Sequence, residues 1–227
     1  MIPIRDHNPS RHFPVVTVTI IAVNVAVFLY ETLVVTNIEL FFYQYGLVPC
    51  ALTGQCLPIP GALPPWLTLF TAMFMHGGWL HIGSNMLYLW IFGNNIEDAM
   101  GSLGYTVFYF VCGLGASFAQ IATDTGSTIV NIGASGAIAG ILGAYLVLFP
   151  GARVDTVVIF GWFVRIVALP AALVLGSWFV IQVFSGVASL GAESMGGVAF
   201  FAHIGGFVAG LLLVRLFKRR DYRPLWY

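Results

Sequence analysis

The chain has 227 residues, 59% of them hydrophobic and 15% aromatic, with nine Lys and Arg against nine Asp and Glu and a formal net charge of zero. Only 8% of its residues are charged, against about 25% in an ordinary soluble domain, so a water-facing surface would be left with large apolar patches. The even balance leaves no basic stripe for nucleic acid, a mean hydropathy of +0.92 excludes disorder, and the composition is that of an integral membrane protein.

A bilayer core takes about 20 apolar residues per helix. In chain order six segments offer them: 14–36, 79–97, 103–122, 134–149, 166–187 and 198–217. The first follows Arg5 and Arg11 and resembles a signal sequence, but its apolar run is too long and no small-residue cleavage site follows, so a retained helix is expected. The next stretch, 37–78, is a long loop and unusually apolar. Pro65 suits the first turn of a short helix, and Trp66, Phe70 and Phe74 recur every four residues, so part of this loop is expected to lie in the outer membrane interface. Cys50 and Cys56 fall within it, and one disulfide between them is open if the loop meets an oxidising compartment. Cys112, in an apolar run, reads as a small core hydrophobe. The fourth span is short, as if it begins below the membrane surface. VDTVVIFGWF, after Arg153, is expected to lie in the inner interface. The division is then an N-terminal tail over 1–13, a six-helix membrane domain over 14–217 and a C-terminal tail over 218–227.

Orientation follows from the cations. Arg5 and Arg11 precede the first span, Arg153 and Arg165 lie between the fourth and fifth, and Arg215, Lys218, Arg219, Arg220 and Arg223 close the sixth. All nine share one side if both termini do, which places the termini in the cytoplasm and the chain in the cell membrane as a multi-pass protein. The second, fourth and sixth spans then all run from outside to inside.

Strongly polar side chains inside a bilayer are costly and point to function. Here they are His81 and Asn85 in the second span, Ser135 at the head of the fourth and His203 in the sixth, with Gln120 and Gln182 elsewhere. His81 and Asn85 share a helix face. At about 1.5 Å per residue, all four of the first group reach one depth beneath the outer surface. Taken singly, each has a plainer reading: a Ser bonding back to its own helix, an Asn joining two helices, a His packed and hydrogen bonded. Four such readings would have to coincide at one level. Gly136 with Gly140 and Gly206 with Gly210 form G-x-x-x-G pairs, which let two helices meet backbone to backbone and would bring the short Ser135 side chain to His203. A serine hydroxyl becomes nucleophilic when an imidazole accepts its proton. Glu31, Glu39, Asp124 and Glu193 belong to the outer ends and loops, and Glu97, Asp98 and Asp155 to the inner side, so a dyad is expected and not a triad. Asn85, His81 and the Ser135 N–H are the candidate donors to an oxyanion.

The runs HGGWLHIGSN (76–85), GASG (133–136) and AHIGG (202–206) resemble the signature motifs of the rhomboid intramembrane serine proteases, and the likeness extends over nearly the whole chain. The resemblance implies an all-α membrane protein: a six-transmembrane-helix bundle with a long, partly membrane-embedded first external loop. By it Ser135 matches the nucleophile, His203 the general base, His81 and Asn85 the oxyanion donors, and His76 and Glu97 structural positions. It implies a serine-type endopeptidase that cuts single-pass membrane proteins within or beside their membrane segment, using no cofactor, ATP or metal. It also implies that the fifth helix and last external loop move to admit substrate, with Gly186, Gly191, Gly196 and Gly197 making that loop pliable. Two positions depart from the common family pattern. Leu67-Thr68 stands where many members carry Trp-Arg, and Ala139 stands where several carry an aromatic against the histidine. Two other readings compete: a catalytically weak rhomboid-like protein that binds membrane clients, and a transporter or a haem or metal site built on His76, His81 and His203. The second lacks H-E-x-x-H and visible inverted repeats.

Overall fold

The computed structural model describes residues 1–190 and 198–222. In chain order its elements are β1 (Ile2–Asp6), α1 (Val15–Leu33), α2 (Ile38–Tyr45), α3 (Pro49–Leu52), α4 (Pro65–Thr71) running into a 3₁₀ turn at Ala72–Phe74, α5 (Trp79–Met100), α6 (Ser102–Thr123), α7 (Ser135–Leu148), β2 (Arg153–Phe160), β3 (Phe163–Pro170), α8 (Ala171–Ser189) and α9 (Phe200–Phe217). Among the described residues four helices, α1, α6, α8 and α9, are long and apolar enough to cross a bilayer. α5 has 22 residues but carries Asn94, Asn95, Glu97 and Asp98 in its last two turns. α7 has 14, about 21 Å of helix.

The chain is mostly helical but not all-α, which corrects the expectation from sequence. Strands β1, β2 and β3 form one antiparallel sheet in that order. The cause is local: RVDTVVIF and FVRIVALP are rich in Val, Ile and Thr, whose branched side chains favour strands. Gly161 and Trp162 form a two-residue turn between Phe160 and Phe163, and Gly161 takes φ +57, the left-handed conformation such turns require. The fifth apolar helix therefore begins at Ala171, after Pro170, and not near 166. The far end of this hairpin is apolar on both faces, with Trp162, Phe163, Val164 and Ile166 all exposed.

β1 joins this sheet to α7. The Tyr145 hydroxyl donates to Asp6 Oδ2 at 2.7 Å, and His7 Nε2 lies 2.8 Å from Asp155 Oδ1. Burial pushes the Asp6 carboxyl up from 3.8 to about 6, against the Tyr145 bond, which lowers it. A raised carboxyl contributes its stability in the protonated form: fully below pH 3.8, and lost as pH rises through about 6. Asp6→Asn, which imitates that form, is expected to flatten this decline in a series of thermal unfolding curves from pH 4 to pH 7. Identical slopes for the two proteins would remove Asp6 as the cause.

One carboxylate ties helices together near the same end of the bundle, where Asn95 Nδ2 also donates to Asn8 O at 2.8 Å. No side chain of its own caps α1 and its first turn has no acid, so its first N–H groups need outside acceptors. Glu97, 4% exposed, supplies them: Oε1 accepts from Val16 N at 2.9 Å, and Oε2 from Thr17 N and Thr17 Oγ at 2.8 Å each. Ser102 Oγ, at the start of α6, also donates to Oε1 at 3.1 Å. Glu97→Ala leaves these groups orphaned inside the protein, each at a cost of about 1–3 kcal/mol. A destabilisation of about 3 kcal/mol or more is expected by unfolding in detergent, with Glu97→Gln recovering part of it; an unchanged midpoint in the alanine variant would show that water caps α1 equally well.

In the first loop, Cys50 and Cys56 are joined by a disulfide, Cα atoms 5.3 Å apart, and Pro65 occupies the first turn of α4. Cys112 is free and buried.

Candidate active site

Three helices begin in one layer. Ser135 is the first residue of α7, His203 lies in the first turn of α9, and His81 and Asn85 lie in the first two turns of α5. Gly133 delivers the chain to α7. Its φ is +125, and a Cβ there would lie 2.7 Å from His81 Nε2, so only glycine fits. The Gly133 N–H donates to Ala72 O at 2.8 Å, tying this turn to the first loop. On α6, Gln120 Oε1 accepts from Ala202 N at 3.2 Å and so fixes the start of α9, one residue before His203.

α7 and α9 cross through their glycines. A Cβ on Gly206 would fall onto the Gly136 carbonyl oxygen, and one on Gly210 onto that of Gly140. Backbone contact of this kind lets a short hydroxyl reach an imidazole on the neighbouring helix. Ser135 Oγ lies 2.8 Å from His203 Nε2, and His203 Nδ1 lies 2.8 Å from Gln182 Oε1 on α8. An amide oxygen only accepts, so Nδ1 carries the proton and donates to Gln182, and Nε2 accepts from the Ser135 hydroxyl. Trp178, one turn before Gln182, places its ring 5.8 Å from the imidazole at 37°. Ala139 is fully buried, and the ring beside the histidine comes from α8.

His81 turns its ring toward the same turn. The Gly77 N–H donates to His81 Nδ1 at 3.3 Å, so in the neutral ring Nε2 carries the hydrogen and faces Gly133. Asn85 is buried but not directed at Ser135: its Nδ2 donates to His81 O at 3.0 Å. His76 is 1% exposed. Its backbone N–H donates to Glu31 Oε2 at 3.3 Å, and its ring stands edge-on to His81 at 5.0 Å. A cavity of about 40 Å³ opens beside Ser135, bordered by Met73, Gln120, Asn131 and Gly133, with room for a water molecule. A larger one, about 590 Å³, lies in the first loop near Tyr43, Leu57 and Pro64 and shares no described lining residue with it.

Ser135 and His203 are thus in direct contact, His81 stands beside them, and Asn85 bends back onto its own helix. Gln120 and Gln182 are visible in the sequence as polar residues in apolar runs, but no motif there assigns a place to either of them or to Trp178. The available signal was their spacing: residues 178 and 182 share one helix face.

The rhomboid domain family model matches residues 64–220. The chain belongs to the rhomboid family. It is 29% identical over 161 residues to Rhomboid-like protein 11, chloroplastic, of Arabidopsis thaliana, covering 69% of this chain and 54% of that one. It is 28% identical over 173 residues to Rhomboid-type serine protease 2 of Emericella nidulans, covering 72% and 31%. It is 26% identical over 149 residues to Rhomboid protease AarA of Providencia stuartii, covering 58% and 50%. The chain thus spans about half or less of the length of these curated relatives. As a rhomboid protein with long apolar helices it is membrane-embedded. Gly191, Gly196 and Gly197, which the resemblance puts in a pliable last external loop, lie outside the described residues. Gly186, within α8, sits where a Cβ would press on Ile204 and Phe200 at 3.3 Å.

Proposed function

We propose that this rhomboid protein is an intramembrane serine endopeptidase that cleaves single-pass membrane proteins within or beside their membrane segment. The observation that carries the reading is the 2.8 Å contact between Ser135 Oγ and His203 Nε2, made by side chains from the first turns of two different helices. His203 takes the Ser135 proton as Oγ attacks the scissile carbonyl, then returns it to the leaving amine, leaving an acyl-enzyme. Water activated by the same imidazole hydrolyses the ester and regenerates Ser135. The tetrahedral oxyanion takes hydrogen bonds from His81 Nε2–H and the Ser135 N–H, and from Asn85 once its amide leaves the His81 carbonyl. Relatives named as a rhomboid-type serine protease and a rhomboid protease support this reaction.

In the same reading α1, α5, α6, α7, α8 and α9 are six crossings within a membrane domain over 14–217. Both tails, 1–13 and 218–227, face the cytoplasm of the cell membrane, and the first loop lies partly in the outer interface. The cations support this orientation, since all nine fall on the proposed cytoplasmic side.

An activated-serine probe on the membrane-reconstituted protein tests the assignment. It should label the wild type and leave Ser135→Ala unlabelled; labelling that survives the substitution overturns the nucleophile. For His81→Ala, loss of one oxyanion donor predicts a fall in kcat of about 10²-fold with KM little changed. Wild-type kcat in that variant would leave His81 a packing residue.

A further inference from the structure

Gln182 is one of the few polar side chains within the apolar helices, is 8% exposed, and has no part in the reaction as derived so far. It lies on the packed face of α8, with Val174, Leu175 and Gly186, whereas Leu173, Val180, Ile181, Phe184 and Val187 on the same helix are exposed. From that face its Oε1 stands 2.8 Å from His203 Nδ1, and Trp178 covers the imidazole one turn earlier. A neutral imidazole carries one N–H, and its other nitrogen is the only one able to accept a proton. To receive the Ser135 proton at Nε2, the hydrogen must sit on Nδ1. An oxygen at Nδ1 enforces that tautomer; an apolar side chain would leave the ring free to place its hydrogen on Nε2, facing Ser135 with no lone pair.

We propose that Gln182 is a positioning residue that holds His203 in the Nδ1–H tautomer, so that the histidine is a competent base only while α8 stands packed against α9. This rests on the reading of Ser135 and His203 as nucleophile and base. Gln182 does for the ring's orientation what a carboxylate does in a triad, but being uncharged it stabilises the imidazolium less than a carboxylate would. α8 thereby bears on the chemistry: any displacement that carries Gln182 and Trp178 away from α9 releases the tautomer and switches off the base without touching Ser135.

Three variants and two readouts test this. In Gln182→Leu the Ser135-dependent rate of labelling by an activated-serine probe is expected to fall on the order of 10²-fold, with the melting temperature in detergent as the control for folding. Gln182→Glu restores an oxygen acceptor and adds a negative charge, which favours the imidazolium. It should recover labelling and move the acidic limb of the pH profile upward by about one unit or more. The titratable side chain that acts on His203 among the described residues is His81 on α5, and it is retained in every variant. Independently of any activity, ¹⁵N spectra of histidine-labelled Ser135→Ala protein should show His203 protonated at Nδ1, with the signal averaged between tautomers when Gln182→Leu is added. Wild-type labelling in Gln182→Leu, an unmoved acidic limb in Gln182→Glu, or an unchanged ¹⁵N signal each overturns the role of Gln182. Labelling that persists in Ser135→Ala overturns the protease reading instead, and the ¹⁵N measurement then still decides what Gln182 does to the ring.

Discussion

In liposomes carrying a single-pass substrate, Ser135→Ala and His203→Ala are each expected to lower the cleavage rate by about 10⁴-fold or more, and the double substitution by no more than the worse single one. In the proposed reaction nucleophile and base act on one proton, so removing either leaves the other without work. The hydroxyl donates directly to Nε2 at 2.8 Å, and Nδ1 is occupied by Gln182, so the ring has one nitrogen free for this transfer. Side chains that contributed separately would instead give losses that multiply. A double variant slower by the product of the two single effects would show that Ser135 and His203 do not share a step, and the dyad would be withdrawn.

The second large effect concerns the crossing of α7 and α9. Gly206→Leu places a side chain where the Gly136 carbonyl oxygen stands, and the two helices must part to admit it. Overpacking of this kind costs about 1–3 kcal/mol. The greater expected consequence is kinetic: a shift of about 1 Å between nucleophile and base lowers turnover by about 10²-fold. Val208, two residues on and exposed, provides the control, since Val208→Leu on the outer face of α9 should leave the rate within twofold of wild type. Equal rates for Gly206→Leu and wild type would mean that the Ser135–His203 distance does not depend on this crossing.

The long helices were legible because an apolar run of bilayer length has few other outcomes: α1, α6 and α9 fall inside or within a residue of the stretches that hydropathy marks. The meeting of Ser135 and His203 was legible for a different reason. Helix rise converts sequence position into depth, and paired glycines announce which helices touch. The sheet was not. VVIF and FVRIVAL satisfy an apolar window as well as a helix does, and the fifth apolar run extends across Pro170 into β3. Their branched residues and the Gly161-Trp162 punctuation carried the strand signal. Depth also says nothing of azimuth. Gln182 and Asn85 were both visible as polar, but the sequence holds no record of which way each faces, so Gln182 on His203 and Asn85 bent toward its own helix emerged only in three dimensions.

Glu97 sets an order on assembly. The amino end of α1 borrows its acceptors from a residue 80 positions later in the chain, so during synthesis the first helix enters the membrane with those donors open to water or lipid headgroups. It is completed only when the carboxyl end of α5 arrives, and Ser102 on the same carboxylate brings the start of α6 with it. The amino-terminal half of this rhomboid protein is thus completed late, and a chain released before residue 97 would leave its first helix unfinished.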